Sequence, residues 1–269
     1  FPTRRSSDLG AMMGAMLKGD EILTIQIRSD GPIEGLTVTA DANGNVKGFA
    51  LEPQVLIGAR KTDHKLDVGL AVGHGNLQVI KDLGLKEPYV SQTPLGTSEI
   101  ADDLTYYFAK SEQIPSSVAL GVLMNRDNTV AQAGGFIIQV MPGIPDETID
   151  LLEKRLTELE PVTTLMEKGL GPEEILELIL GDLDLEINEK LETGFKCNCS
   201  KEHVARVLIS MGKEELEKII EEGKPITVNC QFCNTDYTYE VEEIRELLDF
   251  ARIKSAARKL AVLGDDTLA

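Results

Sequence analysis

Four cysteines are the residues of this sequence with the clearest chemistry. They form a C-x-C pair at Cys197 and Cys199 and a C-x-x-C pair at Cys230 and Cys233, and 30 residues separate the two pairs. Four thiolates supplied as two pairs match the tetrahedral coordination that zinc adopts in structural sites. Thiolates are also the groups that oxidants attack. The pattern therefore predicts a zinc site whose ligands can be oxidised.

The predicted zinc site is closed, because four thiolates leave no position for a water ligand. This argues against hydrolytic zinc catalysis. His203 lies four residues after Cys199 and is a further candidate ligand, but four thiolates already suffice, and we expect a surface or capping role for it. A structural, redox-inert zinc site remains an open alternative, since spacing alone does not establish a switch.

Composition argues against several function classes. The 269-residue chain has 45 acidic and 27 basic residues, a net charge of −18, 4% aromatic residues and no Trp. Nucleic-acid binding relies on basic surfaces and stacking platforms, so we expect no nucleic-acid partner. We find no membrane-spanning run, no secretory signal and no phosphate-binding G-x-x-x-x-G-K-[ST] loop. We therefore expect a cytoplasmic protein without a membrane partner, in which clustered cysteines bind metal or act as redox centres.

The sequence pattern of residues 10–144 predicts an α+β domain with a mostly antiparallel sheet and covering helices. Short alternating segments separated by Gly, Pro and Asn predict its strands. Residues Thr97–Ser111 carry apolar side chains at helical spacing and predict a helix on one face of the sheet. The predicted strands are Glu21–Arg28, Gly35–Ala40, Val46–Leu51, Leu77–Lys81, Pro88–Gln92, Val118–Asn125 and Gly135–Met141.

Residues 145–196 predict an acidic helical linker. This segment has 15 acidic and 5 basic residues. Apolar residues recur at helical spacing from Ile149 to Leu159 and from Ile175 to Leu180, and Gly171-Pro172-Glu173-Glu174 is typical of a helix start. The charged face is either simply solvated, or a source of self-repulsion that leaves the segment marginally stable.

Residues 197–250 predict a small zinc-binding module, followed by a tail at 251–269. Two short helices are expected between the cysteine pairs, at Ser200–Met211 and Lys213–Glu222. Strands at Pro225–Asn229 and Thr235–Val241 are expected to form a hairpin around the second pair. Such a module has few apolar residues, and bound zinc can supply about 10–16 kcal/mol of apparent binding energy, which becomes folding energy.

Residues 1–9, from Phe1 to Leu9, resemble a translated sequencing-library adapter. We expect this segment to be non-native, fused in frame to a gene that lacks its beginning, and we leave it outside the predicted fold.

The sequence resembles the 33 kDa chaperonin family of redox-regulated heat-shock holdases. The resemblance covers the chain from about Gly10 to Leu248 and rests on the four-cysteine pattern together with several upstream blocks. These segments are Gly14–Gly19, Pro88-Tyr89, Ser111–Ser116, Gly134–Gly143, Phe195–Ser200 and Val228–Cys233 with Tyr237. The chain departs from the family at its N-terminus, where the family has further strands and a helix.

The resemblance implies an ATP-independent chaperone and not an enzyme. In the family, the reduced protein binds one Zn²⁺ and is a poor chaperone, so the implied zinc ligands are Cys197, Cys199, Cys230 and Cys233. Oxidation converts them to disulfides, implied to be Cys197–Cys199 and Cys230–Cys233. Zinc then leaves, the module unfolds, the linker loses its order, and the protein dimerises and binds unfolding client proteins.

Two other functions remain open on the residues alone. One is a zinc-stabilised protein-interaction domain with redox-inert cysteines. The other is a dithiol oxidoreductase that uses Cys230 and Cys233, although this C-x-x-C motif does not open a helix after a strand in a βαβ pattern.

Overall fold

The computed structural model describes residues 2–58, 60, 66–127 and 129–252, so most of the predicted tail at 251–269 lies outside the described residues. The chain divides into two compact units: the first ends at Lys196 and the second begins at Cys197. Among the described residues, no helix combines the length and apolar character needed to cross a bilayer. Both units mix helices and antiparallel strands, which confirms the predicted α+β class.

The first unit contains a six-stranded sheet among its described residues, in the order β5–β4–β1–β2–β3–β8. Side chains alternate along β1, where Leu23, Ile25 and Ile27 are buried, as a strand with one core-facing side requires. All neighbours pair antiparallel except β8, which is parallel to β3. The strands are β1 Ile22–Ser29, β2 Gly35–Asp41, β3 Asn45–Ala50, β4 Gly75–Asp82, β5 Tyr89–Pro94 and β8 Gly194–Phe195.

A helix at the start of the chain, α1 (Pro2–Gly14), packs on this sheet. Leu9 and Met13, four positions apart and therefore on one helix face, are buried in the main core. A Cβ atom at Gly10 would lie 2.5 Å from Cγ1 of Val38. Because Gly10 has no side chain, α1 can lie this close to β2. Residues 2–9, which the sequence pattern left outside the fold, thus belong to a core-forming helix.

The predicted helix at Thr97–Ser111 forms as α3 (Ile100–Tyr107) and continues as a π-helical turn, Phe108–Glu112. The turn is fixed to the sheet by one partly buried carboxylate, that of Glu112. Oε1 of Glu112 accepts hydrogen bonds from the Tyr107 hydroxyl and from Nζ of Lys81 on β4, the latter at 2.6 Å. A short helix, α2 (Val68–Val72), adds further apolar residues to the same core.

A separate hairpin, β6 (Ser116–Met124) and β7 (Val130–Gln139), carries the three linker helices. These helices are α4 Asp146–Glu158, α5 Val162–Glu167 and α6 Pro172–Leu180. A second apolar cluster joins the hairpin to α5 and α6, with the buried members Phe136, Val162, Leu165, Ile175 and Ile179. The helices are therefore packed through one apolar side against the hairpin.

Few contacts beyond this apolar cluster hold α4 in place. The helix has no fully buried residue, and only partly buried side chains such as Leu152 and Leu156 reach the cluster. Arg155 donates to the carbonyl of Ile179 at 2.9 Å and pairs with Asp182, which connects α4 to the end of α6. Because exposed ion pairs contribute little, this attachment is weak.

The second unit is a small helix-and-hairpin module. The predicted hairpin is confirmed, with antiparallel pairing from Asn229↔Asp236 to Ile226↔Tyr239. Its elements are α7 Lys201–Ser210, α8 Lys213–Glu222, β9 Ile226–Asn229, β10 Asp236–Tyr239 and a helix over residues 241–252, here α9. Its core has six buried apolar residues among those described: Val204, Leu208, Leu216, Tyr239, Ile244 and Leu248.

Candidate metal centre

Two local structures present the four sulfurs. Cys197 and Cys199 immediately precede α7, whose first turn is capped by Ser200, since its Oγ accepts from the backbone N–H of His203 at 3.1 Å. Cys230 and Cys233 lie in the turn of the β9–β10 hairpin. The turn closes through the Asn234 N–H, which donates to the carbonyl of Cys230 at 2.7 Å. Asn234 adopts a left-handed φ of 57°, which Asn tolerates better than most residues.

The fold brings all four sulfurs together. Every Sγ atom lies within 4.8 Å of every other one. Sγ of Cys197 is 3.7 Å from Sγ of Cys230, and Sγ of Cys199 is 3.2 Å from Sγ of Cys233. These distances exceed a disulfide bond length of about 2.05 Å, so all four are free thiols.

The cluster fits a tetrahedral metal ion. With Zn–S bonds of about 2.3 Å, tetrahedral geometry separates the sulfurs by about 3.8 Å. The two cross-pair distances, 3.7 and 3.2 Å, are both slightly shorter than this separation, and small side-chain rotations would bring the sulfurs to it. All four cysteines are partly buried, and the donor set of soft sulfurs matches zinc.

Two hydroxyl groups contact the sulfurs. The Tyr237 hydroxyl on β10 donates to Sγ of Cys199 at 3.1 Å, and Sγ of Cys233 lies 3.2 Å from the Thr235 hydroxyl. The sequence pattern identified Tyr237 only as part of the family resemblance and did not identify Thr235. The one available signal for Thr235 was its place two residues after Cys233, at the start of the predicted second strand of the hairpin.

The thiols differ in how readily they ionise. Burial, together with hydrogen bonds from the neighbouring thiols, raises the pKa of the Cys197 thiol to about 12, although the backbone N–H of Cys199 acts in the opposite direction. The hydrogen bond with the Thr235 hydroxyl, followed by that with Cys199, lowers the pKa of Cys233 to about 6. A bound cation favours the thiolate form of every ligand.

His203 does not join the sulfur cluster. Its backbone N–H takes part in the α7 cap, its side chain is exposed, and its Nδ1 atom faces the Arg206 guanidinium at 3.3 Å. The four-sulfur cluster found among the described residues does not include it. This agrees with the surface and capping role predicted from the sequence.

Fold and site together define the class: an α+β protein followed along the chain by a compact module whose four cysteine sulfurs could hold a metal ion. The family model described as Hsp33 protein matches residues 5–240, which include all four cysteines. The chain therefore belongs to the Hsp33 family, and the resemblance predicted from the sequence is confirmed.

Curated relatives agree with this assignment. The 33 kDa chaperonin of Agathobacter rectalis is 57% identical over 239 residues, covering 88% of this chain and 83% of the relative. The 33 kDa chaperonin of Lachnoclostridium phytofermentans is 56% identical over 240 residues, covering 89% and 82%. The crystal structure of the 33 kDa chaperonin of Thermotoga maritima superposes with a TM-score of 0.81 at 37% identity, covering 92% of this chain and 84% of that one.

Proposed function

We propose that this chain is a redox-regulated, ATP-independent holdase: oxidation of the cysteines turns a folded, inactive form into one that binds unfolding proteins. The observation that carries the proposal is the convergence of four thiol sulfurs within 4.8 Å in a member of the Hsp33 family. As a chaperone, the protein acts by binding and not by catalysis. We assign residues 10–144, together with the preceding residues of helix α1, to the chaperone domain, 145–196 to the linker and 197–250 to the switch.

In the reduced state, Cys197, Cys199, Cys230 and Cys233 are the proposed ligands of one zinc ion. Zinc supplies a positive charge that holds four thiolates together, and its binding free energy becomes folding free energy of the module. The module needs this contribution because its described core has only six buried apolar residues.

Oxidation removes the ligands. A thiolate attacks hydrogen peroxide, so that an S–O bond forms and the O–O bond breaks, releasing hydroxide. A second thiolate then attacks the sulfenic sulfur, and a second hydroxide leaves as the S–S bond forms. Two thiols thus reduce one peroxide to two waters. The proposed products, implied by the family, are Cys197–Cys199 and Cys230–Cys233.

Loss of the module's fold is proposed to extend to the adjacent linker helices. Their apolar sides cover the β6–β7 hairpin around Phe136, and α4 is attached mainly by partly buried side chains. The linker also carries 15 acidic residues, whose repulsion opposes compaction. Once disordered, the linker and the uncovered hairpin offer apolar surface to clients, while the acidic residues keep the complexes soluble.

The proposed partners are unfolded or partly folded proteins, with a homodimer as the active oxidised form and the cytoplasm as the compartment. The alternative of an interaction domain with inert cysteines is less well supported, because the chain belongs to a chaperone family. A dithiol oxidoreductase is also less well supported, since the C-x-x-C motif lies in a β-hairpin turn and not at the start of a helix.

The experiment treats zinc-loaded, reduced protein with hydrogen peroxide at a mild heat-shock temperature. Zinc release is followed with a chromogenic chelator, and light scattering of a denatured client reports aggregation in the same samples. We expect zinc release and suppression of aggregation to rise together, and sedimentation to show a dimer.

Three outcomes would contradict the proposal. Release of zinc without suppression of aggregation would overturn the holdase function. Retention of zinc under oxidant would support redox-inert cysteines, and steady turnover of a disulfide substrate would support an oxidoreductase.

A further inference from the structure

Tyr237 is the aromatic residue whose hydroxyl reaches the sulfur cluster. Its oxygen lies 3.1 Å from Sγ of Cys199, which belongs to the first cysteine pair, whereas Tyr237 itself follows the second pair along the chain. A phenol can donate only one hydrogen bond, so this contact commits the Tyr237 proton to the sulfur.

The hairpin holds this hydroxyl in place. Tyr237 pairs with Val228 in the centre of the β9–β10 ladder, and its ring packs against the small core of the module. Two residues further along the same strand, Tyr239 is buried, and its hydroxyl donates to the carbonyl of Lys201. The strand is therefore anchored beyond Tyr237, and the phenol is presented to the sulfur by a paired strand.

A hydrogen bond to a thiolate withdraws negative charge from sulfur. It stabilises the thiolate before reaction more than the transition state, in which charge moves from sulfur to the leaving hydroxide. The donor thus slows the attack on peroxide. It also helps the sulfur remain a metal ligand, as outer groups around metal sites commonly do.

We propose that Tyr237 is a positioning residue that sets the oxidation threshold of the switch by restraining Cys199. This inference rests on the proposed function, in which Cys199 is a zinc ligand and is oxidised. The restrained step is the first one: the Cys199 thiolate forms an S–O bond with hydrogen peroxide, the O–O bond breaks, and hydroxide leaves. A second cysteine thiolate then forms the disulfide and releases the second hydroxide.

The test compares full-length Tyr237→Phe with Tyr239→Phe, in zinc-loaded and reduced form. Both variants lose one phenol hydroxyl from the same strand, but only the first loses a contact with sulfur. We expect Tyr237→Phe to release zinc about 3- to 10-fold faster at fixed peroxide and to bind zinc more weakly in chelator competition. The thiolate-to-metal absorption of the cobalt form should also shift in Tyr237→Phe and not in Tyr239→Phe.

A second variant distinguishes loss of the hydrogen bond from a folding defect in Tyr237→Phe. Incorporation of 3-fluorotyrosine at position 237 keeps the ring and strengthens the hydroxyl as a donor, so zinc release should be slower than in the wild type. Unchanged or slower release in Tyr237→Phe, or equal acceleration in Tyr239→Phe, would overturn the inference.

The outcomes also separate this inference from the holdase function. If Tyr237→Phe accelerates zinc release but neither wild type nor variant suppresses client aggregation after oxidation, the proposed function fails and the role of Tyr237 stands. If both proteins become holdases at the same rate, the role of Tyr237 fails and the proposed function stands.

Discussion

Sγ of Cys197 lies 3.7 Å from Sγ of Cys230, although the two residues are 33 positions apart in the sequence. The contact joins the segment before α7 to the turn of the β9–β10 hairpin, so the two ends of the intervening 30 residues meet at the sulfurs. A metal ion held there would close this loop and would lower the conformational entropy of the unfolded module. Loss of the metal ion would therefore destabilise the whole module. The switch thus depends on a contact that neither cysteine pair makes alone.

Replacing one cysteine ligand should destabilise the second unit and leave the stability of the first unit unchanged. In Cys230→Ser we expect loss of bound zinc and loss of the module's folding free energy, of which zinc supplies about 10–16 kcal/mol. Hydrogen exchange of the reduced protein should then show unprotected amides in α7 and α8, while the six-stranded sheet stays protected.

Thr238→Val is the matched control for the ligand replacement. It removes a hydroxyl from the same hairpin, which contacts Thr227 at 3.0 Å across the strands. Zinc content and protection should remain those of the wild type. Full protection of α7 in zinc-free Cys230→Ser would contradict the dependence of the module on metal.

Shortening one buried apolar side chain should weaken the packing of the linker helices on the β6–β7 hairpin. Ile179 on α6 is 0% exposed in the cluster over the β6–β7 hairpin, whereas its neighbour Leu178 is 53% exposed. We expect Ile179→Ala to destabilise this packing by about 2–5 kcal/mol and Leu178→Ala to have little effect. Proteolysis of reduced protein within residues 145–196 measures the change, and holdase activity before oxidation should rise only in Ile179→Ala. Equal proteolysis of both variants would argue against a packed linker.

Helix α1 should contribute substantially to the stability of the first unit. Leu9 is 0% exposed in the main core, while Met16, just after the helix, is 47% exposed. Leu9→Ala should lower the free energy of unfolding by about 2–5 kcal/mol, and Met16→Ala should change it by less than about 0.5 kcal/mol. Urea unfolding monitored by circular dichroism compares them. If Leu9→Ala is as stable as the wild type, residues 2–9 do not contribute to the fold in solution.

The Glu112 carboxylate should make the first unit sensitive to acid. Burial opposes its ionisation, but hydrogen bonds from Lys81 and Tyr107 outweigh burial and lower the pKa of Glu112 below its usual value of 4.5. Because the folded pKa is below the unfolded one, the stabilisation is complete above about pH 4.5 and is lost as the pH falls through the folded pKa.

The Glu112→Gln variant tests this pH dependence. At neutral pH it should be less stable than the wild type by about 1–3 kcal/mol, and the gap should narrow as the pH falls. Urea unfolding across a pH series is the measurement, with Glu87→Gln, an exposed acid before β5, as the control. A constant gap at all pH values would show that the carboxylate charge is not responsible.

Local patterns predicted much of the secondary structure because they report local physics. The turn after β2 is one example: Asp41 accepts hydrogen bonds from the N–H groups of Asn43 and Asn45, and Gly44 adopts φ of 77°. The Gly171-Pro172 start of α6 is another, since Glu174 reaches back to the Gly171 N–H at 2.9 Å. Each of these contacts lies within a few consecutive residues, so a short segment of sequence contains every residue needed to predict it.

Elements without a local signal were not predicted. Strand β8 has two residues and exists because Gly194 and Phe195 pair with β3. Helix α5 has six residues and exists because Val162 and Leu165 pack against the β6–β7 hairpin. Helices this short are not stable alone, so tertiary packing decides them.

By itself, the sequence determined the four candidate metal ligands, their pairing into two motifs, the acidic composition of residues 145–196 and the family. Thiol chemistry and charge are properties of residue types, which the chain displays directly. Only the tertiary structure decided which sulfurs approach across the motifs, which side of the linker helices is covered, and that the Tyr237 hydroxyl contacts Cys199. These are distances between residues far apart along the chain, and they are set by the packing of the elements between them.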